Sequence, residues 1–228
     1  MKKRKLWYTK FHERCERMKI ALINENSQAN KNGVIFESLK KVCSQKGYQL
    51  FNLGMTCETD KNLTYVQNGL LASILINDGC IDFVVTGCGT GEGAMLALNS
   101  FPKVTCGLIE TPTDAYLFSQ INAGNAVSLP FAKGFGWGSE ITLEYVFEKL
   151  FACDFGGGYP KERQEPEQRN KRILDEVKKI THQDIMTILK TIDKNFLKET
   201  VNRPNFLDFY MNYAQNKEIA DFIKEIIN

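Results

Sequence analysis

From residue 18 onward, short apolar runs of strand type alternate with longer stretches whose apolar residues recur at helical spacing, and few folds accommodate that alternation. Strands are expected over 19–23, 48–53, 81–86, 104–109 and 126–129, each leading into turn chemistry such as Asn24-Glu25-Asn26 or Gly87-Cys88-Gly89. Strand then helix, repeated along the chain, predicts a doubly wound, Rossmann-like α/β domain: a five-stranded parallel sheet with helices on both faces. Val34, Phe36, Leu39 and Val42 mark the buried stripe of the first helix, and Leu70, Leu71, Ile74 and Leu75 that of the second.

Three segments follow from the same pattern. Residues 1–17 read as an N-terminal extension, basic and aromatic but without the apolar centre of a signal peptide. Residues 18–155 form the α/β core. Residues 156–228 form a C-terminal helical extension, entered through the break Phe155-Gly156-Gly157-Gly158-Tyr159-Pro160. The extension carries apolar faces (Ile173, Val177, Ile180; Ile185, Ile188, Leu189; Phe206, Phe209, Tyr210; Ile219, Phe222, Ile223, Ile226) that must pack on the core or on another subunit. They are expected to support subunit association.

Charge narrows the partners. With 29 basic and 27 acidic residues the net charge is +2, so no field of one sign points to nucleic acid. No run of about 18 apolar residues is present to span a membrane. The seven cysteines are odd in number and never spaced C-x-x-C, which suggests neither a disulfide framework nor a zinc site and fits a reducing, cytoplasmic setting. A small molecule is the expected partner.

In doubly wound sheets ligands bind beyond the carboxyl ends of the strands. One loop stands out there: Gly87-Cys88-Gly89-Thr90-Gly91-Glu92-Gly93, just before a helix. Its backbone N–H groups and the helix start suit an anionic ligand or intermediate, and such a setting favours the thiolate form of a cysteine. A dinucleotide loop is the alternative, but the spacing is not G-x-G-x-x-G. Cys43, Cys57, Cys80, Cys106 and Cys153 read instead as small buried hydrophobes.

The string Cys88-Gly89-Thr90-Gly91-Glu92-Gly93 between strand and helix resembles the signature of the ribose-5-phosphate isomerase B and galactose-6-phosphate isomerase family. Asn99-Ser100-Phe101-Pro102, Asn122-Ala123-Gly124-Asn125, and Phe155-Gly156-Gly157-Gly158 with Arg163 are similar to further family strings in the same order, over residues 18–163. The resemblance implies an aldose–ketose isomerase working through a cis-enediolate, with Cys88 moving a proton between C1 and C2 and Thr90 beside it in the catalytic loop. It implies substrate contacts from Glu25, Asn26, Gly89, Gly91, Glu92, Gly93, Asn122 and Arg163, no metal or organic cofactor, and a small phosphorylated sugar as substrate. It also implies a homodimer or higher homo-oligomer with the site at a subunit interface.

Departures from the family are specific. Glu25-Asn26 stands where the family has Asp-His, Ile121 where it has a ring-opening histidine, and Gly158-Tyr159-Pro160 where it has Gly-Arg-His. Lys161 or Arg163 would then hold a phosphate, and Glu92 or Glu110 would be a replacement acid. The substitution at Ile121 predicts a substrate that needs no enzymatic ring opening, such as a tetrose 4-phosphate, whose O4 is blocked. Two other readings remain: a module of the same fold that binds a sugar phosphate without turning it over, and a thiol enzyme with Cys88 as nucleophile. The latter lacks an activating histidine, since His12 and His182 both lie outside the matched region.

Overall fold

The computed structural model describes residues 18–228. The expected extension over 1–17, with His12 and Cys15, lies outside the described residues. The strands are β1 (Lys19–Ile23), β2 (Gln49–Asn52), β3 (Phe83–Cys88), β4 (Cys106–Leu108) and β5 (Ala126–Pro130). They form one sheet in the order β2-β1-β3-β5-β4, and every pair is parallel. Helices α1 (Asn32–Lys46), α2 (Tyr65–Asp78), α3 (Glu92–Asn99), α4 (Pro112–Leu117) and α5 (Ser139–Leu150) complete the doubly wound core.

Successive strand side chains point to opposite faces, so each buried strand feeds two cores. Ile20, Leu22, Phe83, Val85, Val127 and Leu129 join Ile35, Leu39, Val42 and Phe147 on one face. Ala21, Ile23, Val84 and Ala126 join Leu70, Leu71, Ile74 and Leu75 on the other. The stripe of α1 differs from expectation by one residue: Ile35 is buried and Val34 exposed. Ile35, Leu39 and Val42 keep the spacing of four and three that holds one helix face inward, and Val34 breaks it.

β3 runs two residues further than expected. Gly87 pairs with Leu129 and Cys88 with Pro130, so the cysteine is the last residue of a paired strand and not part of a free loop. The cause is β5, which continues alongside.

The C-terminal extension comprises α6 (Gln164–Thr181), α7 (Ile185–Thr191), α8 (Lys194–Val201), α9 (Pro204–Tyr213) and α10 (Lys217–Ile227). Helices α7 to α10 fold back over α2, and Leu189, Leu197, Val201, Phe206, Tyr210, Ile219 and Ile223 are buried in the same cluster as Leu70 and Ile74. Burying side chains of this size contributes about 1.5–3 kcal/mol each. This double cover explains why α2 is apolar through its middle: the sheet covers one side and the extension the other. For these four helices the apolar faces serve the chain's own core, which corrects the expectation that they support association. Asp78 at the end of α2 fixes the docking, accepting the Tyr210 hydroxyl at 3.0 Å and the N–H groups of Gln215 and Asn216 at 2.8 and 3.0 Å. Helix α6 is different. It buries no residue, and its apolar stripe stays in the open, Ile180 being 84% exposed.

The six described cysteines are free. Cys43, Cys80 and Cys106 are buried, and burial pushes the Cys43 thiol up to about 12 and raises the other two as well. Cys57 and Cys153 are exposed, contrary to expectation. Both lie in connections between elements, which run over the surface because their backbone needs water. Among the described residues no helix is long and apolar enough to cross a membrane.

Candidate active site

β1 leads into α1 on one face of the sheet, while β3 leads into α3 on the other. The two connections diverge and leave a crevice between neighbouring strands, the place where doubly wound sheets bind ligands. The β1–β3 register ends with Ile23 beside Thr86, and beyond it the two connections stay close, an added Cβ on Gly89 standing 3.8 Å from Gln28 Nε2.

Cys88 is 7% exposed. Its carbonyl accepts the Phe131 N–H at 2.9 Å, and the Gly89 carbonyl accepts the Ala132 N–H at 3.0 Å, so the loop is tied to the segment after β5. Thr90 turns the chain toward α3, its Oγ1 accepting the Glu92 N–H at 3.3 Å. Gly91 then starts the helix with φ 78°, and an added Cβ would stand 2.6 Å from Leu108 Cδ1. Only glycine meets both demands. The Ser128 hydroxyl donates to the Gly91 carbonyl at 2.6 Å, fixing the turn. Gly93 lies against the Tyr65 ring, while Glu92 is exposed on the first turn.

Across the crevice Glu25 is 2% exposed, and its carboxylate accepts the Ser27 N–H at 2.9 Å and the Ser27 hydroxyl at 2.5 Å. A chain of side chains continues from there. Gln28 Nε2 donates to Ser27 Oγ at 3.0 Å, and Lys31 Nζ donates to Gln28 Oε1 at 2.7 Å and to the Phe131 carbonyl at 2.6 Å. The ammonium also sits 4.7 Å from the Phe135 ring centroid. Since Phe131 is the residue whose N–H binds the Cys88 carbonyl, Lys31 puts a positive charge within one residue of the Cys88 loop. It has no carboxylate partner among the described residues. Sequence reasoning missed Gln28 and Lys31. Lys31 is the N-cap of α1, where the helix dipole disfavours a cation. Asn26 is exposed beside this chain, its amide nitrogen donating to Asn62 Oδ1 at 2.7 Å.

Of the remaining candidates, Asn122 and Arg163 do not join Cys88 within one chain. Asn122 ends the turn Phe118–Asn122 that precedes β5, and Arg163 ends the turn Lys161–Arg163. That second turn follows a segment whose Gly156 and Gly158 N–H groups bind the Ser119 and Gln120 carbonyls. In a parallel sheet, residues before a strand and residues after one lie at opposite edges. Asn122 and Arg163 are thus at the amino edge and Cys88 at the carboxyl edge. Ile121 and Lys161 line a cavity of about 870 Å³ at the amino edge, with Tyr116, Phe155 and Arg172. Asn125 braces the turn, accepting the Thr105 N–H at 2.8 Å and donating to the Lys103 carbonyl at 2.7 Å. Glu110 pairs with Lys133 at 2.9 Å on the surface. Among the described residues no group of three or more His, Cys, Asp or Glu could hold a metal ion.

A family model described as Ribose/Galactose Isomerase matches residues 20–166, and one described as Ribose-5-phosphate isomerase matches residues 180–226. The crystal structure of a 4-deoxy-L-threo-5-hexosulose-uronate ketol-isomerase, complexed with a tartrate, is 59% identical with a TM-score of 0.90, covering 92% of this chain and 99% of that one. A ribose-5-phosphate isomerase from Vibrio parahaemolyticus is 47% identical, also at a TM-score of 0.90, covering 92% of this chain and 100% of that one. A ribose 5-phosphate isomerase from Thermotoga maritima shares the fold at a TM-score of 0.52 and 24% identity, covering 70% of this chain and 98% of that one.

Proposed function

The chain belongs to the ribose/galactose isomerase family, and from that premise we propose that it isomerises a 4-deoxy-5-keto sugar acid, aldose to ketose, with Cys88 as the base. That it is a sugar isomerase follows from the family. The observation that carries the finer reading is the pairing of a lone ammonium, Lys31, with a crevice in which the described residues place no histidine.

The chemistry of such a substrate suits those residues. A hexose with no oxygen at C4 and a ketone at C5 has no hydroxyl that could close a five- or six-membered ring onto C1. Its aldehyde therefore needs no acid to open a ring, in keeping with Ile121 where the family has a histidine. Its anionic group is a C6 carboxylate, which one ammonium can bind through a charge-assisted hydrogen bond. The 59% identical relative is named for this substrate, and its tartrate is itself a hydroxylated carboxylate.

In the proposed mechanism the Cys88 thiolate removes the proton from C2, and the C–H electron pair forms the C1–C2 double bond while charge moves onto O1. The N–H groups of Gly89 to Gly93 and the start of α3 stabilise that oxyanion. The Thr90 hydroxyl, whose oxygen accepts the Glu92 N–H, donates its own hydrogen to a substrate oxygen. The thiol then returns its proton to C1, the O2 proton passes to O1, and the C2 ketone forms. Glu25 and Asn26 bind the C2 and C3 hydroxyls.

A second reading keeps a phosphate as the anion, as the name of the 47% identical relative suggests. Arg163, Lys161 and Asn122 would then serve the crevice of a second copy, since they lie at the opposite edge from Cys88 in their own chain. The open apolar stripe of α6 supports a homodimer in either case. Free cysteines support a reducing, cytoplasmic location. The test is turnover by the full chain of the 4-deoxy-5-keto uronate, ribose 5-phosphate and a tetrose 4-phosphate, followed by NMR. Preference for the uronate is expected, and faster conversion of either phosphate overturns it.

A further inference from the structure

The connection between β2 and α2, residues 53–64, forms the support for Asn24, Glu25 and Asn26. At its start the Met55 N–H donates to the Asn24 carbonyl at 2.9 Å, and Gly54 packs so closely that an added Cβ would stand 2.2 Å from the Asn24 nitrogen. At its end the Leu63 carbonyl accepts the Asn26 N–H at 2.8 Å, and Asn62 Oδ1 accepts the Asn26 amide at 2.7 Å. Wherever this connection sits, the Glu25–Asn26 wall of the crevice must follow.

The C-terminal extension holds both ends of that connection through the junction between α8 and α9. Asn205 Nδ2 donates to the carbonyls of Asn52 and Gly54 at 3.1 and 2.8 Å. Arg203 Nη2 donates to the carbonyls of Lys61 and Asn62 at 3.1 and 2.7 Å, and its Nε to the Thr200 carbonyl at 3.2 Å. Lys61 reciprocates, its ammonium donating to the Asn202 carbonyl at 3.0 Å. Arg203 is only 2% exposed, and burial lowers its pKa, with the Asp60 carboxylate opposing that shift. A buried guanidinium spent on backbone carbonyls is costly as a source of stability alone, because its desolvation is large. What it achieves is a fixed position for a segment with no secondary structure of its own.

We propose that Arg203 and Asn205 are positioning residues for the substrate-binding wall, acting through residues 53–64 on Asn26 and Glu25. The extension beyond the family core is on this account a device for specificity as well as cover for α2. The inference rests on the crevice beside Cys88 being the substrate site.

The test uses the full-length protein with Arg203→Met, Arg203→Lys, Asn62→Ala and the double variant Arg203→Met/Asn62→Ala. Arg203→Met is expected to raise KM for the 4-deoxy-5-keto uronate about tenfold or more while changing kcat by about threefold or less, because the wall moves and Cys88 does not. Asn62→Ala should act in the same direction, the double variant should add less than the sum, and Arg203→Lys should recover part of the loss. A lowered melting temperature with KM unchanged in both Arg203→Met and Asn62→Ala, or full additivity, overturns the proposal. Hydrogen exchange gives a second readout that needs no substrate. Arg203→Met should speed exchange of the Asn26 and Met55 amides while sparing the Phe131 amide bound to Cys88. If wild type leaves the uronate untouched, the functional reading fails and the exchange pattern alone decides this one; unchanged protection at Asn26 in Arg203→Met and in Asn62→Ala then refutes it. Should Arg203→Met not fold, Asn205→Ala takes its place with the same expected pattern.

Discussion

Replacing Lys31 with methionine removes the one charge proposed to hold the substrate carboxylate and keeps the length of the side chain. A hydrogen bond to a charged group contributes about 1.5–3 kcal/mol. Lys31 is partly exposed, so solvent trims the value toward the lower end. At about 1.4 kcal/mol per tenfold, KM for the uronate should rise roughly 10- to 100-fold. The folded state should change less. Gln28 Oε1 and the Phe131 carbonyl each lose a donor, at about 1 kcal/mol apiece. Against that, the thioether packs on the Phe135 ring, and a cation leaves the start of α1, where the dipole opposed it by about 0.3–1 kcal/mol. Initial rates for the uronate and for a neutral tetrose, with melting curves for both proteins, separate the two effects. Only the uronate should respond, and Lys31→Arg should restore most of the affinity. Equal losses on charged and neutral sugars, or no change in KM, would refute the carboxylate assignment.

Cys88→Ala should slow exchange of the substrate C2 proton with deuterated solvent by about 10²- to 10⁴-fold while leaving binding in place, and Glu92→Gln should spare it; exchange near the original rate in Cys88→Ala removes the thiolate as base. Tyr210→Phe takes one donor from the buried Asp78 carboxylate and should cost about 1–2 kcal/mol in urea melts, with Asp78→Ala costing more and the pair non-additive. Additive costs would mean that the bond to Asp78 does not hold the extension. Val177→Glu with Ile180→Glu, on the open face of α6, should lower the apparent mass in sedimentation without lowering the melting temperature of the chain's own core. An unchanged mass would mean that α6 is not the association face.

Much of the fold could be read from spacing alone. The strand runs named the sheet, since alternating apolar runs and amphipathic stretches leave a parallel sheet covered by helices as one of the few ways to bury both. Cys88 and its glycines were legible because they sit between a strand pattern and a helix pattern, and position relative to elements is a local property.

Contacts between distant segments were not legible. Whether Ile185 to Ile226 would cover the chain's own α2 or a second copy depends on which apolar surface is left open after the sheet forms, and spacing carries no such information. Lys31 looked like an ordinary surface lysine until Phe131, a hundred residues on, supplied its carbonyl. Arg203 gave no sign of burial, because its acceptors are backbone carbonyls that every residue has. The family resemblance assigned Asn122 and Cys88 to one kind of site, built at a subunit interface. Strand direction put them at opposite edges of the sheet, since one precedes a strand and the other ends one. Local periodicity thus determined the elements and which residues stand at their ends, and the tertiary structure decided which ends meet, because pairing across the chain is set by shape and hydrogen-bond geometry that no short stretch of sequence contains.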